Sequence, residues 1–262
     1  MEKELKTIQS VQRAIDIINC IADAGKKISL KEIGEELDLN VNTARGLVQT
    51  LLSNGFLARD LEQGTYSLGY EFYTKSTQLY EFQLKNIREA AYPDMQRLAD
   101  MFSATTCLQI SFYSDIYTLE TAAPPASPYA YIPNSATDLP LHASASGKLL
   151  LAYSPEAEQQ KLFDKCSLEP FTENTITDRS DLIKIIQQVN AQGYAIEMDE
   201  MSLGIGCIAA PIFDIRGTLR ATLSIVAASP VLKSVLKKAI VELKRTAERI
   251  SNEISYKKNR NR

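Results

Sequence analysis

The residues of this chain best suited to touch another molecule fall in two places. The first is a run of donors and acceptors, Asn40, Asn42, Thr43, Arg45 and Gln49, interleaved with Ala44, Leu47, Val48 and Leu51. Wound into a helix, the apolar set faces inward and the polar set outward, which is what reading base edges in a DNA major groove demands. Arg45 suits a base or a phosphate, and Asn42 or Gln49 an adenine; Asn40 and Asn42 are also suited to cap the helix. Arg13, Lys31 and Arg59 would hold phosphates, which sets register rather than sequence preference. The second place is Ser144-Ala145-Ser146-Gly147-Lys148. Small residues at a helix start leave backbone N–H groups that attract a carboxylate without a formal cation.

Catalytic readings of the same residues fail. A phosphate-binding loop around Gly147-Lys148 needs Gly at position 142 and Ser or Thr at 149, where His142 and Leu149 stand. His142 is the one histidine, and its nearness in sequence to Ser144 and Asp138 does not make a Ser/His/Asp triad. Cys20, Cys107, Cys166 and Cys207 show no CxxC spacing, so no zinc site is expected and the thiols are read as unpaired. The expectation is a protein that is not an enzyme and needs no metal or cofactor.

The elements that must position these groups read as follows. Ile8, Val11, Ile15, Ile18 and Ala22 mark one face of a first helix, which Gly25 ends. Ser29 with Glu32 forms a capping box for a short second helix closing near Leu37. The third helix runs to Asn54-Gly55. Phe56–Arg59 and Thr65–Leu68 then make a hairpin around the turn 60–64. Three helices and a hairpin, in that order, are a winged helix-turn-helix. Residues 71–90, free of Gly and Pro, read as a linker helix. In 91–262 come a helix with Pro93 as its start or a kink, paired strands 105–111 and 116–122, and a Pro-rich loop carrying Tyr129 and Tyr131. Helices near 146–152, 155–163 and 181–192 follow, then strands at 194–198, 206–213 and 219–227. Leu236, Ile240, Leu243, Ala247, Ile250 and Ile254 make a long final helix whose stripe is read as core. The fold class is therefore α+β, with domains at 1–70 and 91–262 joined by 71–90.

Composition sets limits. The chain has 262 residues, 45% hydrophobic and 23% charged, as a soluble two-domain protein has. No apolar run is long enough to span a membrane, and the first residues lack a signal peptide's apolar stretch, so the cytoplasm is the expected place. Net charge is −3, and residues 1–75 hold nine Lys/Arg against eleven Asp/Glu. DNA binding must then rest on where the cations sit rather than on how many there are.

The chain resembles the IclR family of bacterial regulators. The resemblance runs through Ser10–Ile15, Leu30–Ile33, Asn54–Asp60 and Tyr66–Gly69, then Leu139–Lys148 and Gly193–Pro211, in family order over residues 8 to about 255. It implies a winged-helix domain, a GAF-like C-terminal domain enclosing a small-molecule effector, and a homodimer or dimer of dimers on a near-palindromic duplex operator. The first helix and the linker helix would carry the dimer contacts. Effectors in the family are small organic acids or aromatic metabolites, and the commoner outcome is a repressor, here of a catabolic operon, although activators exist. By resemblance Leu141, Ser144, Ala145, Ser146 and Gly147 line the effector pocket, as do Glu197, Cys207 and Ser224. Val226 stands where some members have a second Ser. The chain departs from the family at Gly46, where Arg is usual, and at Arg45, where His or Tyr is.

Overall fold

The computed structural model describes residues 7–80, 84–112, 115–124 and 139–260, the side chains of 256–260 excepted. It divides into two compact units, Met1–Leu84 and Lys85–Arg262. Among the described residues no helix is long and apolar enough to cross a membrane.

The first unit runs α1 (Gln9–Asp23), β1 (Ile28–Ser29), α2 (Leu30–Glu36), α3 (Val41–Ser53), β2 (Leu57–Arg59), β3 (Thr65–Leu68) and α4 (Glu71–Leu79). The capping box at Ser29 forms: the Ser29 N–H donates to Glu32 Oε2 at 2.7 Å, and the Glu32 N–H to Ser29 Oγ at 3.3 Å. These bonds hold the Glu32 carboxyl down at about 2. Asn40, not Asn42, caps α3, its Oδ1 accepting from the Thr43 N–H at 2.8 Å. Ala44, Val48 and Leu51 of α3 are buried, the last two in one cluster with Ile17, Ile21 and Ile33. The wing is a hairpin, Leu57 opposite Leu68 and Arg59 opposite Tyr66, and β1 adds a third strand that the sequence did not signal. Lys27 ties that strand to the wing turn by an ion pair with Asp60 at 2.8 Å.

The sequence marks one apolar face on α1, and the structure adds a second. Its core residues are Ile17 and Ile21, whereas Ile8, Val11 and Ile15 are 69%, 54% and 45% exposed. Both flanks of the helix are apolar, and the face carrying Ile8, Val11 and Ile15 is the outward one. Residues 71–90, expected as one linker helix, hold α4 and the start of the next helix, with 81–83 outside the described residues.

The second unit is an antiparallel sheet of order β5-β4-β8-β7-β6. Its strands are β4 (Thr105–Phe112), β5 (Asp115–Ala122), β6 (Ala195–Met198), β7 (Ile205–Phe213) and β8 (Leu219–Ala228). One face is covered by α5 (Lys85–Phe102) and the long α9 (Ser229–Arg260); Thr106 Oγ1 reaches the Met95 carbonyl of α5 at 3.0 Å. Pro93 lies inside α5 rather than at its start. On α9 the buried positions include Leu243, Ala247 and Ile250, so the final stripe is core. The other face takes α6 (Ala145–Tyr153), against which α8 (Arg179–Gln192) packs, with α7 (Glu156–Lys165) beside it. Because strand side chains alternate, Thr105, Cys107 and Gln109 point to the α6 face while Thr106 and Leu108 point to α5. Tyr129, Tyr131 and most of the Pro-rich loop lie outside the described residues.

Candidate functional site

On α3, Asn42, Arg45 and Gln49 are exposed at spacings of three and four, so they share one outward stripe. Arg45 and Asn42 make no hydrogen bond or ion pair among the described residues. Gln49 makes only a long contact, 3.5 Å, to Ser53. Asn40 and Thr43 are tied to each other as the cap, so of the expected readers they are the two that hold the helix itself. Gly46 lies on the same stripe, and a Cβ there would meet nothing within 4 Å. The expected phosphate holders occupy three elements. Arg13 is half-buried on α1, and Lys31 sits in the first turn of α2, 3.5 Å from Glu35. Arg59 closes β2 with its guanidinium 5.9 Å from the Tyr66 ring centre.

The second site is built on the α6 face of the sheet. Strand pairing sets Thr105, Val226, Cys207 and Glu197 side by side across β4, β8, β7 and β6. The adjacent row holds Cys107, Ser224, Ala209 and Ala195. Thus Glu197, Cys207 and Ser224, distant in sequence, occupy neighbouring places on one surface. Ser146 joins them through a residue that the sequence reading missed. Gln109 Oε1 accepts from Ser146 Oγ at 2.5 Å, from Thr222 Oγ1 at 3.3 Å and from Ser224 Oγ at 3.4 Å. Beside Gln109 and Ser146 a cavity of about 10 Å³ remains, room for roughly one water.

Other expected pocket residues have structural work. Ser144 caps α6, accepting from the Gly147 N–H at 3.0 Å and donating to the Pro140 carbonyl at 2.8 Å. At Gly147 a Cβ would stand 2.5 Å from the Leu141 backbone, so only glycine lets the loop close over the helix start. That leaves the first N–H groups of α6, from the buried Ala145 and Ser146, without a partner among the described residues, as helix starts do.

The charges here are buried as well. Lys148 is 1% exposed, and its ammonium donates to Glu200 Oε1 at 2.5 Å and to the Ile196 carbonyl at 3.1 Å. Glu197, 3% exposed, accepts from the backbone N–H groups of Glu200 and Met201 at 2.7 and 3.2 Å. Burial nonetheless pushes its carboxyl up to about 7, those two hydrogen bonds pulling the other way. Burial also pushes the Cys107 thiol up to about 12 and the Cys207 thiol well above its ordinary range. With β8 between their strands, the two thiols lie about 10 Å apart at the backbone, two strand spacings, too far for a disulfide. No cluster of three or more metal-ligating side chains occurs among the described residues.

One unit thus offers an outward polar helix stripe and a wing, the other a buried polar floor under a helix start. Comparison with known proteins gives the same division. Residues 10–61 match the IclR helix-turn-helix domain, and 81–252 match the bacterial transcriptional regulator IclR C-terminal domain. The chain is 30% identical over 244 residues to the HTH-type transcriptional regulator BhcR of Paracoccus denitrificans (strain Pd 1222), covering 91% of this chain and 85% of that one. It is 28% identical over 258 residues to the DNA-binding transcriptional repressor YiaJ of Escherichia coli (strain K12), covering 95% and 88%. In fold it matches a crystal structure of an IclR homolog complexed with 4-hydroxybenzoate from Microbacterium hydrocarbonoxydans, with TM-score 0.77, 22% identity, and 94% and 98% covered. The chain belongs to the IclR family of bacterial transcriptional regulators: it is a ligand-responsive DNA-binding protein and not an enzyme.

Proposed function

We propose that this regulator is a repressor of a catabolic operon, released from or recruited to its operator by a small organic acid. The observation that carries the DNA half is the outward stripe of α3, where Asn42, Arg45 and Gln49 have no partner of normal hydrogen-bond length among the described residues. Groups held in that state on a rigid helix suit base edges. Arg13, Lys31 and Arg59 would hold phosphates on either side. The sensing half rests on the floor formed by Glu197, Cys207 and Ser224 beneath the start of α6. In this reading residues 1–70 bind DNA, 71–90 join the halves and 91–262 sense, all in the cytoplasm. A relative named as a repressor and a solved fold holding an aromatic acid support the assignment.

The working form is a dimer on a near-palindromic site. Ile8, Val11 and Ile15 make an apolar stripe on α1 with nothing over it in the single chain, and α4 adds the exposed Tyr73 beside Tyr70. A second copy, presenting the same stripe about a two-fold axis, covers such a surface and sets two recognition helices one DNA turn apart. Footprinting on the DNA flanking the chain's own gene tests the proposal. Two protected half-sites about one helical turn apart, with affinity falling steeply as salt rises, are expected. Salt-independent association, or no protected site, would leave a protein-interaction module as the better reading.

A further inference from the structure

Charge is divided unevenly along this chain. Residues 229–262, which are α9 and the two residues after it, hold ten of the 29 Lys/Arg and three of the 32 Asp/Glu. They carry +7, and residues 1–228 carry −10. A basic segment on an otherwise acidic protein is the electrostatic mark of a polyanionic partner. The first unit is itself net negative, so the cations of this DNA-binding protein have gathered elsewhere.

The fold turns that charge outward. Leu232, Ala239, Leu243, Ala247 and Ile250 bury one side of α9 against the sheet and α5. The opposite side exposes Lys237, Lys238, Val241, Lys244 and Arg245. Arg245 meets Glu242 at 2.7 Å, and Lys244 donates to the Gln192 carbonyl at 2.6 Å. Lys233 and Arg249, also exposed, pair with Asp199 and Asp94. Lys237 and Lys238 have no hydrogen bond or ion pair among the described residues. Glu248 and Glu253 are the exposed acids of this helix, and Lys257, Lys258 and Arg260 follow with no acid among them. Like charges gathered on one helix repel, a cost that nothing within the unit repays at Lys237 and Lys238.

What this face lacks decides the kind of polyanion. A helix that lies on a bilayer needs its apolar side free, and that side of α9 is taken up by the sheet. The centre of a protein interface is apolar and poor in lysine. Here, from Lys237 onward, Val241 is the one exposed large apolar side chain among the described residues. A line of cations on a rigid rod suits a line of phosphates. From Lys237 to Arg260 the helix is roughly 35 Å long, about one turn of duplex DNA. We propose that the outward face of α9 is a second DNA-binding surface, one that takes the backbone phosphates of a duplex without reading sequence. It supplies cations that the acidic first unit lacks.

Binding of the full chain to a duplex of random sequence, followed by fluorescence anisotropy over about 50 to 200 mM salt, tests this. Lys237→Gln with Lys238→Gln weakens binding and reduces the slope of log affinity against log salt by about 2, since each phosphate contact contributes about 0.9. Adding Lys257→Gln and Lys258→Gln brings the reduction to about 4. Lys237 and Lys238 are exposed, so the melting temperature of the first pair stays where it was. Lys237→Arg with Lys238→Arg keeps the charge and keeps the slope. Lys161→Gln with Lys184→Gln removes two exposed cations from α7 and α8, on the other side of the sheet, and also leaves the slope unchanged. Gln variants of α9 that bind like the unmodified chain overturn the proposal. An equal loss from the Arg pair, which would make the role structural, overturns it too, as does an equal loss from the control pair, which would reduce the effect to net charge. Tighter binding to polyglutamate or to phosphatidylserine vesicles than to the duplex, with the α9 variants weakening only that, would give the face to an acidic protein or a membrane instead.

Discussion

The two units handle their polar residues in opposite ways. On α3, Arg45 and Asn42 stand in solvent with no partner among the described residues, and the helix beneath them is held by apolar packing and the Asn40 cap. On the α6 face of the sheet, Gln109, Ser146, Thr222 and Ser224 are buried and bonded to one another, and Lys148 is buried against Glu200. On the outward stripe of α3 polar groups can be replaced with little effect on folding. In the second unit, the side chains proposed for recognition are also the ones that hold the fold together, so a change to one role is a change to both.

The sharpest break of this contrast is at Lys148. Lys148→Ala leaves Glu200 buried and unpaired, a loss of about 3–5 kcal/mol, seen as a large fall in the denaturant midpoint of the second unit. A variant as stable as the original would mean that the pair is solvated and the contrast overstated.

Next in size is Glu197. Its folded-state carboxyl, at about 7, lies above the unfolded value of 4.5. Its contribution is therefore fully present below pH 4.5 and lost as pH rises through 7, by up to about 3 kcal/mol. Glu197→Gln should flatten that part of the pH–melting curve and raise the melting temperature at pH 8. A slope that survives the substitution would assign the pH dependence to another group.

On the exposed side, Arg45→Ala should weaken operator binding by about 1–3 kcal/mol while unfolding stays within about 0.5 kcal/mol of the original. Gel shift and chemical melting of one preparation measure both. Unchanged affinity would remove Arg45 from the reading stripe. Smallest is Gly46→Ala. With nothing near a Cβ at that position, the better helix former should stabilise the first unit by about 1 kcal/mol. A destabilised Gly46→Ala would show that α3 is not the regular helix described here.

The first unit was largely legible in the sequence because its signals are local. The Ser29–Glu32 box, the Ala44–Val48–Leu51 stripe and the Gly55 stop each lie within one element. On α1 the sequence marked an apolar face without saying which way it points. Ile8, Val11 and Ile15 repeat at helical spacing just as Ile17 and Ile21 do, and periodicity does not say which of two apolar faces meets the core. On the sensing floor, Gln109 and Thr105 were missed because their importance lies in register with β8, more than a hundred residues away. A faint signal existed: Thr105, Cys107 and Gln109 alternate in β4, as Thr222 and Ser224 do in β8, where a strand buried on both faces would be apolar throughout. Lys148 was read with the helix start, and nothing local shows that its charge is met by Glu200, fifty-two residues on.

The two thiols of the sensing sheet have a consequence for how the protein meets oxidants. Cys107 and Cys207 sit on one face with β8 between them, and burial holds both in the neutral form. Peroxides and alkylating agents attack thiolates, so these sulfurs are chemically quiet in the folded protein. The strand between them also keeps the two sulfurs from pairing, so no disulfide can tie β4 to β7 across this face of the sheet.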